Sequence, residues 1–406
     1  MIIIGGGVAG ICCARALHRA GVEFTLLEAT DEVGGRVKTE RTADGFLLDH
    51  GFQVLLTSYP EAQRQLKLDA LDLKHFTPGA LSYFNGGFHR FADPWRSPRH
   101  ALSTLFSPVG TLADKLRIQR LRTRLLASEA TGDECSTLEA LQLEGFSELI
   151  IERFFRPFFG GVFFDTELKT SQRMFEFVFR MFARGNASIP NGGMQAIPRQ
   201  LSAELPPTSI RTNAKVAELT PTGVRLESGE TLESSTTILA VDIQAASGLL
   251  GLPLKPAMQG VACLYFAADK APIDEATLLI NGEAEGPINN LCVPSNLSSS
   301  FAPSGAALIS ITVLRPPLGN PERLLSETRA QLNRWFGSRS AGWRHLRTFQ
   351  IPKGLPVQYP PYFTGQRLPF EPQPGIFLCG DFMENASLNG AMLSGRKTAE
   401  AILGLN

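Results

Sequence analysis

The sequence lacks the features that mark several large classes of protein. Its six cysteines include no Cys-x-x-Cys pair and no spacing typical of metal ligands, so no dithiol redox centre and no metal site is expected. No apolar run reaches the ~18 residues that a transmembrane helix needs. Lysine plus arginine equals aspartate plus glutamate at 39 each, so no charge excess favours a nucleic-acid partner. What is present is 43% hydrophobic residues in 406, enough for two or three cored domains.

A strand, a glycine-rich turn and a helix open the chain. The apolar residues 2–4 lead into Gly5-x-Gly7-x-x-Gly10, and a helical pattern follows. Gly5 permits a tight turn, Gly7 lets the backbone approach a pyrophosphate, and Gly10 allows the helix to pack closely on the strand. The helix N-terminus adds unpaired N–H groups and a positive dipole end. This pattern predicts a dinucleotide site.

An acidic residue at the end of the next strand supports this interpretation. Residues 22–27 form a second apolar segment that stops at Glu28, 18 residues beyond Gly10. A carboxylate at that place accepts hydrogen bonds from the ribose of a bound dinucleotide. Because the first residues already form the cofactor strand, this sequence has no room for a secretory signal, and we expect a cytoplasmic protein.

Two further motifs, far apart in the chain, indicate which dinucleotide is bound. They are Gly34-Gly35-Arg36, and Gly380-Asp381 with Ser387-Leu388-Asn389-Gly390-Ala391 after it. The first offers a close backbone approach and a guanidinium for a pyrophosphate oxygen. With a middle segment at residues 189–194, these motifs resemble the superfamily of FAD-dependent amine oxidases, protoporphyrinogen oxidases and carotenoid (phytoene) desaturases.

The resemblance implies FAD as the cofactor. In that superfamily Asp381 would meet the ribityl–phosphate region, the turn at Gly390 the flavin ring, and Val216 the adenine. The predicted cofactor residues are Gly5, Gly7, Val8, Ala9, Gly10, Glu28, Ala29, Gly34, Gly35, Arg36, Gly51, Phe52, Val216, Gly380, Asp381, Leu388, Asn389, Gly390 and Ala391. We expect non-covalent binding, because Cys379 occupies a strand position suited to a small apolar residue.

The expected fold is α/β, with two interleaved domains. A Rossmann-like FAD-binding domain, a parallel sheet with an antiparallel crossover layer, takes residues 1–57, 187–252 and 372–406. An α+β substrate-binding domain takes residues 58–186 and 253–371, with a helical part at 90–186. Within it, Asn85-Gly86 predicts a hairpin with a type I′ turn. Residues 261–267 and 306–314 are strand-like, and residues 321–336 form an amphipathic helical pattern.

Phenylalanine is concentrated in one part of the chain. Eleven of the 27 lie between positions 146 and 182. In the helical pattern at residues 171–184 only Arg173, Glu176, Arg180 and Arg184 form a polar stripe. Such a cluster fills a core, lines an apolar tunnel over the flavin, or forms a surface patch for peripheral membrane contact. We take Phe159, Phe175, Phe179 and Tyr359 as substrate-contacting candidates.

The candidates for contact with the reacting atoms are His50, Gln53 and Lys353. His50 and Gln53 follow the segment that passes the flavin ring in the superfamily. Lys353 is the nearest equivalent of the lysine of many amine oxidases, but its position between Pro352 and Gly354 predicts a loop residue. A structural role is equally open for His50.

The sequence predicts an FAD-dependent oxidoreductase for a small hydrophobic substrate. It would take hydride at a C–N or C–C bond and pass electrons to oxygen or another acceptor. No second Gly-x-Gly-x-x-Gly is present, which disfavours reduction by NAD(P)H. A protoporphyrinogen oxidase-like or carotenoid desaturase-like enzyme, and a non-catalytic flavin-binding protein, remain alternatives.

Overall fold

The computed structural model describes residues 1–127, 133–252, 256–316, 319–365 and 368–405. The strands, in chain order, are β1 (Ile2–Ile4), β2 (Thr25–Leu27), β3 (Thr39–Arg41), β4 (Leu47–Asp49), β5 (Leu55–Leu56), β6 (Leu73–His75), β7 (Gly79–Phe84), β8 (Gly87–Ala92), β9 (Ala187–Pro190), β10 (Ile210–Arg211), β11 (Val216–Thr220), β12 (Gly223–Leu226), β13 (Thr231–Glu233), β14 (Thr237–Leu239), β15 (Met258–Ala268), β16 (Leu278–Asn281), β17 (Ile288–Cys292), β18 (Ala307–Leu314), β19 (Arg344–Pro356) and β20 (Ile376–Leu378). The α-helices are α1 (Val8–Arg19), α2 (Pro60–Gln65), α3 (Ala101–Leu105), α4 (Leu112–Ala127), α5 (Thr137–Leu143), α6 (Glu148–Ile150), α7 (Arg156–Phe163), α8 (Gln172–Arg184), α9 (Ala196–Ser202), α10 (Ile243–Leu249), α11 (Pro294–Leu297), α12 (Pro321–Phe336) and α13 (Leu388–Ile402).

A five-stranded parallel sheet in the order β10-β2-β1-β14-β20 lies under the N-terminal turn. Ile2 pairs with Thr25 on one side and with Thr237 on the other. The central strands are short runs of apolar residues because both faces of the sheet are covered. Helices α1 and α13 pack against each other on this sheet, where the Gly395 Cα faces the Ala9 carbonyl too closely for any side chain.

The antiparallel layer predicted for the middle of the chain is formed by β11, β12 and β13. With the parallel sheet it gives the mixed α/β fold that we expected. The strands of the parallel sheet come from residues 1–57, 187–252 and 372–406, which are the segments predicted for the FAD-binding domain. The division into two domains stays a prediction.

A seven-stranded sheet in the order β19-β15-β18-β17-β16-β7-β8 forms the second layer. The predicted hairpin is confirmed: Asn85 and Gly86 have φ angles of 51° and 74°, as a type I′ turn requires. The hairpin does not stand alone among helices, because β7 pairs in parallel with β16. The amphipathic helix is α12, and its apolar face covers this sheet through Leu324 and Leu332.

A layer of helices, α3 to α8, completes the described structure. The polar stripe of α8 is buried at Glu176 and Arg180, because it packs on α4 and Arg180 Nε donates to the Leu125 carbonyl at 2.7 Å. The phenylalanines of α7 and α8 pack against one another, as in the edge-to-face pair Phe159 and Phe175, whose ring centroids lie 4.8 Å apart. Among the described helices, none is both long and apolar enough to cross a bilayer.

Candidate cofactor and substrate site

One cavity of about 1060 Å³ joins the parallel sheet to the helical layer. Its wall includes residues at the carboxyl ends of β1, β2 and β14, where open α/β sheets bind their ligands. It continues to α4, α7 and α8. Because ligand pockets commonly span roughly 300–1,000 Å³, this single cavity has room for a large ligand.

The glycine-rich turn leaves space where a ligand would approach. A Cβ atom on Gly5, whose φ is +108°, would lie 2.5 Å from the Ala240 carbonyl oxygen. A Cβ atom on Gly7 would meet nothing within 4 Å, and Gly7 lies on the cavity wall. Gly10 lies behind the wall, where a Cβ atom would lie 2.1 Å from the Gly5 carbonyl oxygen. The turn therefore fits a dinucleotide phosphate at Gly7, while Gly10 serves packing.

Glu28 is buried at the end of β2, and its side chain supports the glycine-rich turn. Its carboxylate accepts hydrogen bonds from the Gly6 N–H at 2.8 Å, the Thr30 N–H at 2.8 Å and the Thr30 hydroxyl at 2.9 Å. A carboxylate has about four acceptor positions, so one is left for a ribose hydroxyl. Glu28 has a structural role that the sequence pattern did not indicate.

Arg36 and Asp381 bring the two distant motifs together. Arg36 Nη2 lies 2.8 Å from Asp381 Oδ2, and Nη1 donates to the Gly354 carbonyl at 2.8 Å. All three residues line the cavity. The guanidinium and carboxylate thus stand at the wall as a charged pair that can meet the phosphate and hydroxyl groups of a dinucleotide.

The start of α13 reaches the cavity, but not at Gly390. Ser387 caps the helix by accepting from the Gly390 N–H at 3.0 Å, and Leu388 and Ala391 line the wall. A Cβ atom on Gly390 would lie 1.9 Å from the Asn385 carbonyl oxygen. Glycine here makes room for the preceding loop, and a close approach of this turn to the flavin ring stays a prediction.

Asn389 is also behind the wall. Its Oδ1 accepts from the Glu61 N–H at 3.0 Å, so the side chain ties α13 to α2. Apart from Gly10, Asn389 and Gly390, the predicted cofactor residues all line the cavity. Five of the glycines among them, Gly5, Gly7, Gly34, Gly35 and Gly380, are called the glycine wall below.

Cys379 lies in the core rather than on the wall. Its side chain is fully buried. A hydrogen bond with Cys379, followed by burial, raises the pKa of the Cys13 thiol well above its usual range. The two thiols therefore pack together between α1 and α13, away from the cavity.

His50 and Gln53 line the cavity beside the glycine wall. Burial lowers the pKa of His50, although Glu40, with Oε2 at 3.5 Å from Nε2, raises it. The imidazole ring lies 4.4 Å from the Phe349 ring, centroid to centroid. Gln53 Nε2 donates to the Arg36 carbonyl at 2.8 Å, so this amide supports the Arg36 backbone.

Lys353 is not a loop residue, as its neighbours predicted, but part of β19. The residues Ile351, Lys353 and Leu355 alternate along the strand and line the cavity. The Lys353 ammonium lies 3.9 Å from Asp242 Oδ2. Asp242 caps α10 at the carboxyl end of β14 and also lines the cavity. Pro352 does not break the strand because β19 is an edge strand.

Asp49 is a buried carboxyl beside these residues. Its Oδ1 accepts from the Thr39 hydroxyl and from the Met194 N–H at 2.9 Å. Burial raises the pKa of Asp49 to about 6, although both hydrogen bonds lower it. The group connects β4 to the segment after β9 and does not line the cavity.

Two of the four substrate candidates line the cavity. Phe159 and Phe179 do, whereas Phe175 is buried behind them and Tyr359 does not reach the wall. Tyr359 Oη accepts from Gln259 Nε2 at 2.8 Å instead. The aromatic wall consists of Phe154, Phe158, Phe159, Phe179 and Phe182.

Several lining residues were missed by sequence reasoning. Asp242 follows the third central strand of a parallel sheet, and residues at such strand ends meet at one edge, so this position could have been found. Trp95, Arg96 and Arg122 carry no motif. They reach the cavity because the helical layer folds back over it.

Comparison with known proteins gives two kinds of match. The model of the family described as flavin containing amine oxidoreductase matches residues 8–403. Amine oxidase [flavin-containing] B from Rattus norvegicus is 32% identical over 103 residues, which are 23% of this chain and 20% of that protein. Lysine-specific histone demethylase 2 from Homo sapiens is 44% identical over 55 residues, 14% of this chain and 7% of that protein. The matches thus span a fifth or less of these relatives' lengths.

Solved structures share the fold along the whole chain. An oxidoreductase from Methanosarcina mazei superposes with a TM-score of 0.79 at 17% identity, covering 98% of this chain and 99% of that chain. Cyclohexylamine oxidase from Brevibacterium oxydans superposes with a TM-score of 0.73 at 16% identity, covering 99% and 98%. The family match, the fold and the motifs agree: this chain belongs to the flavin containing amine oxidoreductases.

Proposed function

We propose that this protein uses non-covalently bound FAD to take hydride from a hydrophobic organic substrate at a C–N or C–C bond. The observation that carries the proposal is the continuity of one cavity, about 1060 Å³ in volume, from the glycine wall to the aromatic wall. A dinucleotide at the first and an apolar molecule at the second would meet inside the protein. Oxygen or another acceptor would then take the electrons.

Each part of the wall has its own task in this proposal. The Gly7 backbone and Arg36 would hold the pyrophosphate, Glu28 the adenosine ribose and Asp381 the ribityl–phosphate region. Val216 would contact the adenine, and Gly51 and Phe52 the flavin ring. Bound FAD supplies the two-electron acceptor, so the chain itself needs to bind, orient and keep water away. The aromatic wall would orient the substrate and keep water away.

The start of α13 would stabilise negative charge that develops on a bound flavin. Leu388 and Ala391 line the cavity, and the capped N-terminus of α13 presents the positive end of its dipole there. His50, Gln53 and Lys353 are the side chains proposed near the reacting atoms. The Lys353 ammonium lies 3.9 Å from Asp242 Oδ2 and would hold an ordered water or a polar substrate group.

Non-covalent binding can be tested directly. Acid precipitation of the yellow protein should release the flavin into the supernatant, because Cys379 is buried away from the cavity. Flavin that stays with the precipitated protein would contradict this part of the proposal.

Substrate oxidation is tested by anaerobic reduction of the bound flavin. Long-chain amines, porphyrinogens and polyenes should be compared for the rate at which they bleach its absorbance, with NADPH as the control reductant. Rapid, saturable bleaching by NADPH would show that the protein is an NADPH-dependent reductase. A porphyrinogen or polyene as the fastest reductant would favour the oxidase-like or desaturase-like alternative. A protein that retains FAD but is reduced by none of them would be a non-catalytic flavin-binding protein.

We further propose peripheral membrane contact through residues 95–124. This segment exposes Trp95, Leu102, Leu105, Phe106, Leu112 and Leu116. Phe106 and Leu102 are 81% and 73% exposed. The segment also contains seven lysine and arginine residues against one aspartate, a combination that favours anionic lipid surfaces. The same segment lines the cavity, so an apolar substrate would enter from the bilayer.

Vesicle sedimentation tests this contact. The protein should sediment with phosphatidylserine-containing vesicles and much less with neutral phosphatidylcholine vesicles. Phe106→Ser should weaken sedimentation, whereas Leu143→Ser, at a position that is 83% exposed on α5, should not. Equal loss in both variants would contradict a specific surface.

A further inference from the structure

The helical part of the cavity wall carries an excess of positive charge. Arg96, Lys115 and Arg122 line it, and among the described residues of this part Asp93 is the carboxylate that faces them. Asp93 Oδ1 already accepts from the Trp95 N–H at 3.0 Å and the Arg96 N–H at 3.4 Å. Because the adjoining aromatic wall is apolar, cations without a counter-charge are costly there.

Two of these cations donate hydrogen bonds to backbone carbonyl groups. The Lys115 ammonium donates to the Leu105 carbonyl at 2.6 Å and to the Ser107 carbonyl at 3.0 Å. Arg96 Nη1 donates to the Phe182 carbonyl at 2.8 Å, at the end of α8. These contacts fix both side chains in place but do not neutralise their charge.

Arg122 differs from them, because among the described residues no carbonyl group accepts from its guanidinium. Arg122 Nε is buried without a hydrogen bond. The guanidinium carbon lies 5.1 Å from the centroid of the Trp95 ring, which holds it by a cation–π contact. Arg96 is close by: burial lowers the Arg96 pKa, Asp93 raises it, and the charge of Arg122 lowers it again. Two guanidinium groups therefore line one cavity, and that of Arg122 has an unused donor.

We propose that Arg122, with Arg96, binds the carboxylate of an otherwise apolar substrate whose chain lies along the aromatic wall. The inference rests on the proposed function, since it assigns a substrate class to the same cavity. A guanidinium offers paired, planar N–H donors that match a carboxylate, and Trp95 holds this plane at the wall. The positive charge would also disfavour simple amines at this part of the cavity.

Calorimetric binding to the FAD-loaded protein tests the inference without turnover. The probes are decanoate, decanol and decylamine, each below its micelle concentration, with decyl phosphate as a fourth. Decanoate should bind at least about tenfold more tightly than decanol, the range expected when a hydrogen-bonded charge is gained. Arg122→Gln should abolish this preference while decanol affinity stays the same, and Arg122→Lys should keep part of it.

Arg120→Gln is the matched control, because it removes the same charge from the exposed face of the same helix. It should leave the decanoate preference unchanged. Equal losses in Arg120→Gln and Arg122→Gln, or decanol or decylamine binding as tightly as decanoate in the wild type, would overturn the inference. Tighter binding of decyl phosphate would overturn the assignment to a carboxylate. A protein that binds decanoate through Arg122 but oxidises nothing would contradict only the proposed function.

Discussion

The glycine wall and the aromatic wall enclose the same cavity but are built in different ways. At the glycine wall the backbone itself forms the surface, and buried polar side chains such as Glu28 hold it in place. At the aromatic wall side chains form the surface, and a second layer of buried rings, including Phe175, supports them. The backbone surface of the glycine wall cannot adjust to a substitution, whereas the rings of the aromatic wall can repack around one. We therefore expect the two walls to respond differently to substitution.

The largest effect should separate the two layers of the aromatic wall. Phe175→Ala should lower the free energy of unfolding by about 3–5 kcal/mol, because Phe175 is 2% exposed and its loss leaves a cavity in the core. Phe179→Ala removes a ring that already faces open space and should cost about half as much. Denaturant unfolding measures both. Phe179→Ala alone should also shift the preferred substrate towards bulkier molecules, and a shift in Phe175→Ala instead would reverse our assignment of the layers.

The two walls should also respond differently to pH, because a buried carboxyl lies on the cofactor side. Asp49 supports the cofactor side, and burial raises its pKa from 3.8 to about 6. The folded protein then binds this proton more tightly than the unfolded chain, so the group stabilises the fold at low pH. This stability, up to about 3 kcal/mol, is lost as the pH rises from about 4 to about 6.

Asp49→Asn tests this sign. An amide oxygen can still accept from Thr39 and Met194, so the variant should fold and its stability should fall less between pH 4 and pH 6. Asp31→Asn, at a position whose side chain is 79% exposed, is the control and should keep the wild-type pH profile. A steeper decline in Asp49→Asn would contradict the prediction.

The next effect concerns the ribose acid of the glycine wall. Glu28→Ala should weaken FAD binding by roughly 1.5–3 kcal/mol, the range for hydrogen bonds to a charged group. Glu28→Gln should weaken it less, since one oxygen remains as an acceptor. Titration of FAD into the apoprotein measures this effect, with the exposed Glu23→Ala as the control. Unchanged FAD affinity in Glu28→Ala would end its assignment to the cofactor.

The smallest expected effect tests which glycine serves packing and which one contacts the ligand. Gly10→Ala should destabilise the protein by about 1–3 kcal/mol, because its Cβ atom would press on the Gly5 carbonyl. Gly7→Ala meets open space and has a φ of −71°, so the apoprotein should keep its stability while FAD affinity falls. Thermal unfolding of both apoproteins, followed by FAD titration, distinguishes packing from ligand contact. Full FAD affinity in Gly7→Ala would remove Gly7 from the phosphate site.

Much of the cofactor side follows from local rules. Residues 2–4, the turn at Gly5 and the helix after it are short-range patterns, and each formed where it was predicted. The same holds for the hairpin turn at Asn85 and for α12. In each case the backbone conformation depends on a few neighbouring residues, so the local sequence is enough to predict it.

Local patterns say less where distant segments decide. Gly390 is a glycine because the Asn385 carbonyl lies against it, and Lys353 lies in a strand because β19 pairs with β15. Nothing in the neighbouring residues of either position specifies these partners. The same is true of Phe175 and Phe179, whose depth differs although they lie on one helical face.

The sequence by itself determined that this protein has a dinucleotide-binding fold and belongs among the flavoproteins, because the motifs for both are local and ordered along the chain. Only the tertiary structure decided what else faces the cofactor side. Trp95, Arg96 and Arg122 come to the cavity through long-range packing of the helical layer on the two sheets. A side chain's charge is written in the sequence, but whether it meets solvent or an apolar cavity depends on where the rest of the chain folds.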